Sequence, residues 1–157
     1  MIAMLLAAGR GERMQPLTRS LAKPAIPLLG SPMVVHGLHA LAVGGATEAV
    51  VNLHHRPEDV VRAVGDGSAC GLDRVHFSRE TEILMGTGGG LAHAAGWLRG
   101  SGTIVVRNGD FLADIDAASA LAAHQASGLD ATMVLTAATP GYTSVPVSED
   151  GRVLGFG

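Results

Sequence analysis

The first two dozen residues constrain this chain more than any other stretch. An apolar run, Ile2–Leu6, has the length and composition of a buried strand and breaks at once into Ala7-Ala8-Gly9-Arg10-Gly11. Glycines at such a strand-to-loop junction let backbone amides approach an anion without side-chain obstruction. Arg13 follows, and Lys23-Pro24 supplies a second cation ten residues later. No acidic residue stands between Glu12 and Glu48, so nothing local repels a polyphosphate. The loop is expected to hold the triphosphate of a nucleotide.

Two familiar glycine loops fit poorly. A Walker A loop ends in Gly-Lys-Ser/Thr, which is absent here, so a P-loop ATPase or kinase is not indicated. A dinucleotide fingerprint needs a third glycine and, about 20 residues on, an acid for the ribose. Met14 occupies the place of that glycine, and the acid-free interval removes the ribose partner.

The run Leu6-Ala7-Ala8-Gly9-Arg10-Gly11-Glu12-Arg13-Met14-Gln15-Pro16-Leu17-Thr18, continued by Ala22-Lys23-Pro24, resembles the N-terminal motif of the sugar-1-phosphate nucleotidyltransferases. Ala22 departs from the proline usual at that position, and the lysine is retained. Among the branches of the family, the bacterial enzymes that activate mannose, heptose or N-acetylmuramate look most similar.

The resemblance implies transfer of a nucleoside monophosphate from an NTP to a sugar 1-phosphate, giving an NDP-sugar and pyrophosphate, with Mg²⁺ as cofactor. It implies catalytic roles for Arg13, Lys23 and Asp110, with Asp110 also holding the metal. It further implies nucleotide contacts from Leu6, Ala7, Ala8, Gly9 and Gly11 at the loop, Gly86 and Thr87 against base and ribose, and Asn108 beside Asp110. Members of the family continue further, with elements that cover the sugar. Residues 1–157 are therefore expected to be a nucleotidyltransferase catalytic domain without its C-terminal sugar-binding part. Two other readings share the loop: a nucleotide or nucleotide-sugar binding domain without turnover, and a nucleotidyltransferase with a non-sugar phosphate acceptor.

Composition narrows the partners. Hydrophobic residues make up 47% of the chain and charged ones 16%, which suits a well-cored globule. A net charge of −3 gives no basic footprint for nucleic acid. The single cysteine, Cys70, excludes an internal disulfide framework and suits a cytoplasmic protein. Ile2–Ala8 is too short to span a membrane and has no basic leader. Of eleven basic side chains other than histidine, ten are arginine, and the one lysine is Lys23. In a chain so biased to arginine, a lysine is expected where a compact ammonium suits the position better than a planar guanidinium.

The rest of the chain reads as repeated strand–helix units. Pro32–Val43 is expected to be a helix with Ser31 as N-cap and Gly44-Gly45 as its stop, and Ala46–Leu53 a second strand ending in His54-His55. Glu58–Val64 should be a short helix and Asp73–Ser78 a third strand. Met85–Gly90 reads as a glycine-rich loop at the entrance of helix Leu91–Leu98, because four glycines are costly inside regular structure. Thr103–Arg107 is a fourth strand running into Asn108-Gly109-Asp110, and Asp116 caps helix Ala117–Ser127. A fifth strand, Asp130–Ala137, and a hairpin of Thr143–Val147 with Arg152–Phe156 complete the reading. Successive βα units imply a Rossmann-like, doubly wound α/β fold: a mostly parallel sheet with helices on both faces. Ligands of such sheets bind beyond the carboxyl ends of the strands, where Asp110 falls. Asp114 is a further candidate near it. His36 and His39 share a helix face without a carboxylate or cysteine to complete a metal site, and His54 and His55 stand at a candidate pocket rim.

Overall fold

A computed structural model describes residues 1–137 and 141–156. Its first unit, Met1–Ser127, is built on a four-stranded, wholly parallel sheet. The strands are β1 (Ile2–Leu6), β4 (Glu48–Leu53), β5 (Arg74–Arg79) and β6 (Val105–Asn108), in the order β5-β4-β1-β6. Between β1 and β4 the chain forms α1 (Leu17–Ser20), a two-residue ribbon of β2 (Pro27–Leu28) and β3 (Ser31–Pro32), and α2 (Met33–Val43). Helix α3 (Pro57–Val64) joins β4 to β5. Helices α4 (Gly86–His93) and α5 (Ala95–Leu98) join β5 to β6, and α6 (Ala117–Ser127) follows.

Alternation along β1 explains why both faces are covered. Ala3 and Leu5 point to one side and pack with Val34, Leu38 and Leu41 of α2 and Val60 and Val64 of α3. Met4 points to the other, against Val50, Ala94 and Leu98. Helix α2 lies so close that a Cβ on Gly37 would stand 2.9 Å from Leu5 Cδ1. The central strands are buried on both faces and read as continuous apolar runs for that reason. The doubly wound, parallel α/β arrangement read from the sequence is therefore the one present.

Several local expectations need correction. Ser31 does not cap α2: it pairs with Leu28 in the small ribbon, and Pro32, in an extended conformation, precedes the first helical residue. The glycines at 86–90 lie within α4 rather than in a loop before it, and the helix expected over Leu91–Leu98 breaks at Ala94 between α4 and α5. Asp116 does cap α6, accepting the Ser119 amide at 2.9 Å.

The described residues from Gly128 on form a second unit. Residues 130–137 are exposed throughout and adopt no strand, despite their β-branched and apolar content. Strand preference reflects fit to a pleated, half-buried surface, and here no face is buried. The expected hairpin is reduced to one antiparallel bridge, Val147 with Val153, around the turn Ser148–Gly151. No helix among the described residues is long and apolar enough to cross a membrane.

Candidate active site

Register places the strand ends side by side. Leu6 pairs with Asn52 on one flank and with Asn108 on the other, and Asn52 pairs with Ser78. Beyond this row the chain leaves the sheet as Ala7–Gly11, His54, Glu80 and Gly109-Asp110. A cavity of about 270 Å³ opens there. It is lined by Leu6, Ala7, Ala8 and Gly9 from the front loop, Lys23 and Pro24, Asn52, Leu84 with Gly86 and Thr87, and Asn108 with Asp110.

The front loop is shaped by backbone and packing together. Gly11 has φ +65°, and a Cβ there would lie 2.8 Å from Thr18 Cγ2 and 2.9 Å from Lys23 Cβ. Glycine is required on both counts. The Thr18 hydroxyl donates to the Gly11 carbonyl at 3.0 Å, fastening the loop to α1. The loop turns directly into a 3₁₀ turn, Glu12–Met14, that carries Arg13.

Two residues far apart in sequence meet at the cavity. Lys23 Nζ donates to Asp110 Oδ2 at 2.6 Å, and both side chains are partly exposed. Lys23 begins a 3₁₀ turn, Lys23–Ala25, whose entry is fixed from α3: the Ala22 amide donates to Asp59 Oδ2 at 3.0 Å. Asp110 is placed by Gly109, whose amide donates to the Leu6 carbonyl at 2.8 Å, so close that a Cβ would stand 3.0 Å from that oxygen. Arg107 braces the far side of the turn, its guanidinium 4.3 Å from the centre of the Phe111 ring.

Of the residues expected to act, Lys23 and Asp110 are brought into contact. Leu6, Ala7, Ala8, Gly9, Gly86, Thr87 and Asn108 line the same cavity. Gly11 shapes the loop without lining it. Arg13 is exposed and lies outside the lining, and no hydrogen bond or ion pair is formed by it among the described residues. Asp114 is exposed and likewise outside the cavity. His54 and His55 line a neighbouring polar cleft with Arg10, Arg19 and Arg56. His54 Nδ1 lies 2.7 Å from the Glu80 carbonyl, and His36 Nε2 lies 2.8 Å from the Leu28 carbonyl, so both rings have partners in the backbone.

Sequence reasoning missed Asn52, Glu80 and Asp59. The visible signal for Asn52 was a polar residue inside the apolar run Ala49–Leu53, where it is 3% exposed. A buried amide demands partners. Nothing in the local sequence of Asp59 points to the Ala22 amide, which is 37 residues away.

The Arg56 guanidinium at 2.5 Å, assisted by the Ala22 amide, holds the Asp59 carboxyl below the usual carboxylate range. A carboxylate depressed in the native state stabilises the fold above its unfolded value, about 4, and this contribution is lost as pH falls through the depressed native value. The stability difference between wild type and Asp59→Asn is therefore expected to stay constant from neutral pH to about 5 and to close below about 4. Chemical denaturation across that range measures it. A difference that persists unchanged into acid contradicts the role given to the charge.

The comparisons with known proteins point the same way. Residues 2–156 match the family model described as nucleotidyl transferase. The chain is 36% identical over 156 residues to a mannose-1-phosphate guanylyltransferase of Mycobacterium tuberculosis, covering 98% of this chain and 43% of that protein. It is 44% identical over 116 residues to an N-acetylmuramate alpha-1-phosphate uridylyltransferase of Neisseria meningitidis, covering 74% and 49%. The chain thus spans about half the length of the curated relatives it matches. Among solved structures, HddC from Yersinia pseudotuberculosis complexed with GMP-PN superposes with a TM-score of 0.79 at 22% identity, covering 99% of this chain and 68% of that one, a likeness of fold.

Proposed function

From the premise that the chain belongs to the nucleotidyl transferase family, we propose that its cavity binds a nucleoside triphosphate and supports transfer of the nucleoside monophosphate to a sugar 1-phosphate. The observation that carries this reading is the contact of Lys23 with Asp110 at the carboxyl ends of the sheet, beside the glycine loop. A cation and a carboxylate fit to hold a metal ion, 87 residues apart in the chain, meet in one place.

In the proposed reaction a phosphate oxygen of the sugar 1-phosphate attacks the α-phosphorus. A new P–O bond forms as the bond to the bridging oxygen breaks, and pyrophosphate leaves with that electron pair. No proton transfer is required, because the attacking oxygen is already anionic. The protein's part is alignment and charge neutralisation. Loop amides near Gly9 and Gly11, with Arg13, hold the β- and γ-phosphates. Lys23 lies between the α-phosphate and the acceptor phosphate, where negative charge is densest. Gly86 and Thr87 present backbone to base and ribose, and Asn108 flanks the α-phosphate.

The residues present fit a magnesium ion. Asp110 already holds a cation, the Lys23 ammonium, at 2.6 Å. Among the described residues no group of three or more His, Cys, Asp or Glu forms a closed metal cage. One carboxylate with phosphate oxygens is the donor set Mg²⁺ commonly takes. Asp110 is the residue proposed to hold it, and a bound ion would supply charge neutralisation and Lewis-acid polarisation of the phosphates. The proposed reaction draws on nucleoside triphosphate and is assigned on that ground to the cytoplasm. No nucleic acid or membrane takes part in it.

Pyrophosphate release, measured across NTPs and sugar 1-phosphates with Mg²⁺, tests this function. Release that needs both a nucleotide and a sugar 1-phosphate supports it. Release only with another phosphorylated acceptor, or nucleotide binding without release, replaces it with one of the two other readings.

A further inference from the structure

Glu80 leaves the end of β5 and is 2% exposed, yet both of its carboxylate oxygens are occupied from within the protein. Asn52 Nδ2 donates to Oε1 at 2.8 Å, and the Met85 amide donates to Oε2 at 2.9 Å. On its other side, Asn52 Oδ1 accepts the Ala7 amide at 2.7 Å. These bonds form one buried chain, from the Ala7 N–H through Asn52 and Glu80 to the Met85 N–H. It runs under the cavity and joins two walls that the sequence separates by nearly eighty residues. Ala7 opens the front loop, and Met85 immediately precedes Gly86-Thr87.

The helix that begins at Gly86 is fitted to the same pair. A Cβ on Gly90 of α4 would stand 2.8 Å from Asn52 Nδ2 and 2.9 Å from Glu80 Oε1. The helix backbone therefore rests directly against the two side chains, which accounts for glycine at that position in a helix. The amide orientation of Asn52 follows from its partners. Turned over, it would set its NH₂ against the Ala7 N–H and its oxygen against a carboxylate.

We propose that Glu80 and Asn52 are positioning residues that set the distance between the phosphate-binding loop and the base-side segment Met85–Thr87, and so the affinity for nucleotide. The proposal rests on the reading of the cavity as a nucleotide site. Asn52 lines the cavity, but its Oδ1 and Nδ2 are engaged by Ala7 and Glu80, and Glu80 lies outside the lining. With both oxygens engaged, Glu80 acts through the backbone it holds.

A polarity swap tests this. Glu80→Gln leaves only one acceptor for two donors, and Asn52→Asp sets two carboxylates face to face. Each single substitution leaves buried groups mispaired, and each is expected to weaken Mg·NTP binding about tenfold or more, raising KM well before it lowers kcat. Combined, Glu80→Gln and Asn52→Asp restore the pattern with donor and acceptor exchanged. The double variant is expected to bind within about threefold of wild type, a non-additivity that mere packing would not produce. Amide hydrogen exchange at Ala7 and Met85 should rise in the singles and return in the double, with or without ligand.

Wild-type nucleotide binding with unchanged singles, or a double variant as weak as the sum of both, overturns the positioning role alone. A wild-type protein that binds no nucleotide overturns the proposed function together with this inference. If Glu80→Gln fails to fold, the swap still decides: a folded, nucleotide-binding double variant supports the pairing, and an unfolded one overturns it.

Discussion

Asp110→Asn is expected to lower turnover by about 10³ or more while leaving the fold intact. The carboxylate is the proposed metal holder, and metal stabilisation of transition-state charge amounts to several kcal/mol. An amide of the same shape keeps the turn but carries no charge to hold a cation. Stability should change little, because the ion pair with Lys23 is partly exposed, and such pairs contribute about 0–1 kcal/mol. The check is pyrophosphate release by wild type and variant with Mg²⁺ and with EDTA. Wild-type activity undiminished in EDTA, or a variant that works as well as wild type, contradicts the role of Asp110.

The second large effect is expected at Arg13. Arg13→Ala should reduce kcat by about 10²–10³, comparable to the loss of one preorganised oxyanion donor. The melting temperature should stay unchanged. Arg13 is exposed on the 3₁₀ turn after Gly11 and makes no ion pair or hydrogen bond among the described residues, so truncation removes nothing the fold uses. That separation of activity from stability is the signature of a side chain held ready for a ligand. Steady-state kinetics beside a thermal melt decide it. Normal turnover in the variant removes Arg13 from the mechanism, and a fallen melting temperature assigns it to the fold.

How far the sequence was legible follows from how local each cause is. Strand β1 was readable to the residue, because a short apolar run stopped by glycine has few other solutions. Gly9 and Gly11 marked the loop for the same reason, and Asp116 marked the start of α6. The glycines from 86 to 90 misled, since their local cost argues against helix. At Gly90 the reason is tertiary: it rests against Asn52 and Glu80, and that contact is invisible until β4 and β5 pair. Residues 130–137 misled in the opposite direction, having strand-forming side chains but no buried face.

The candidate site shows the same division. Resemblance singled out Lys23 and Asp110, and the fold brings them together across 87 residues. The parts that hold them came from neither motif nor period. Asp59 fixes the entry to the Lys23 turn, Gly109 presses the Asp110 turn against Leu6, and the Asn52–Glu80 pair joins the walls. Each is a long-range hydrogen bond to backbone or between buried side chains, and such partners are set by topology rather than by neighbours in sequence.

The central claim is that the glycine loop, Lys23 and Asp110 form one polyphosphate site. Calorimetric titration of wild type and Lys23→Ala with Mg·GTP and Mg·UTP tests it most directly. The account predicts saturable one-to-one binding of at least one of these nucleotides by wild type, weakened tenfold or more in the variant. Binding that is indifferent to the loss of Lys23, or no binding at all by wild type, would contradict it.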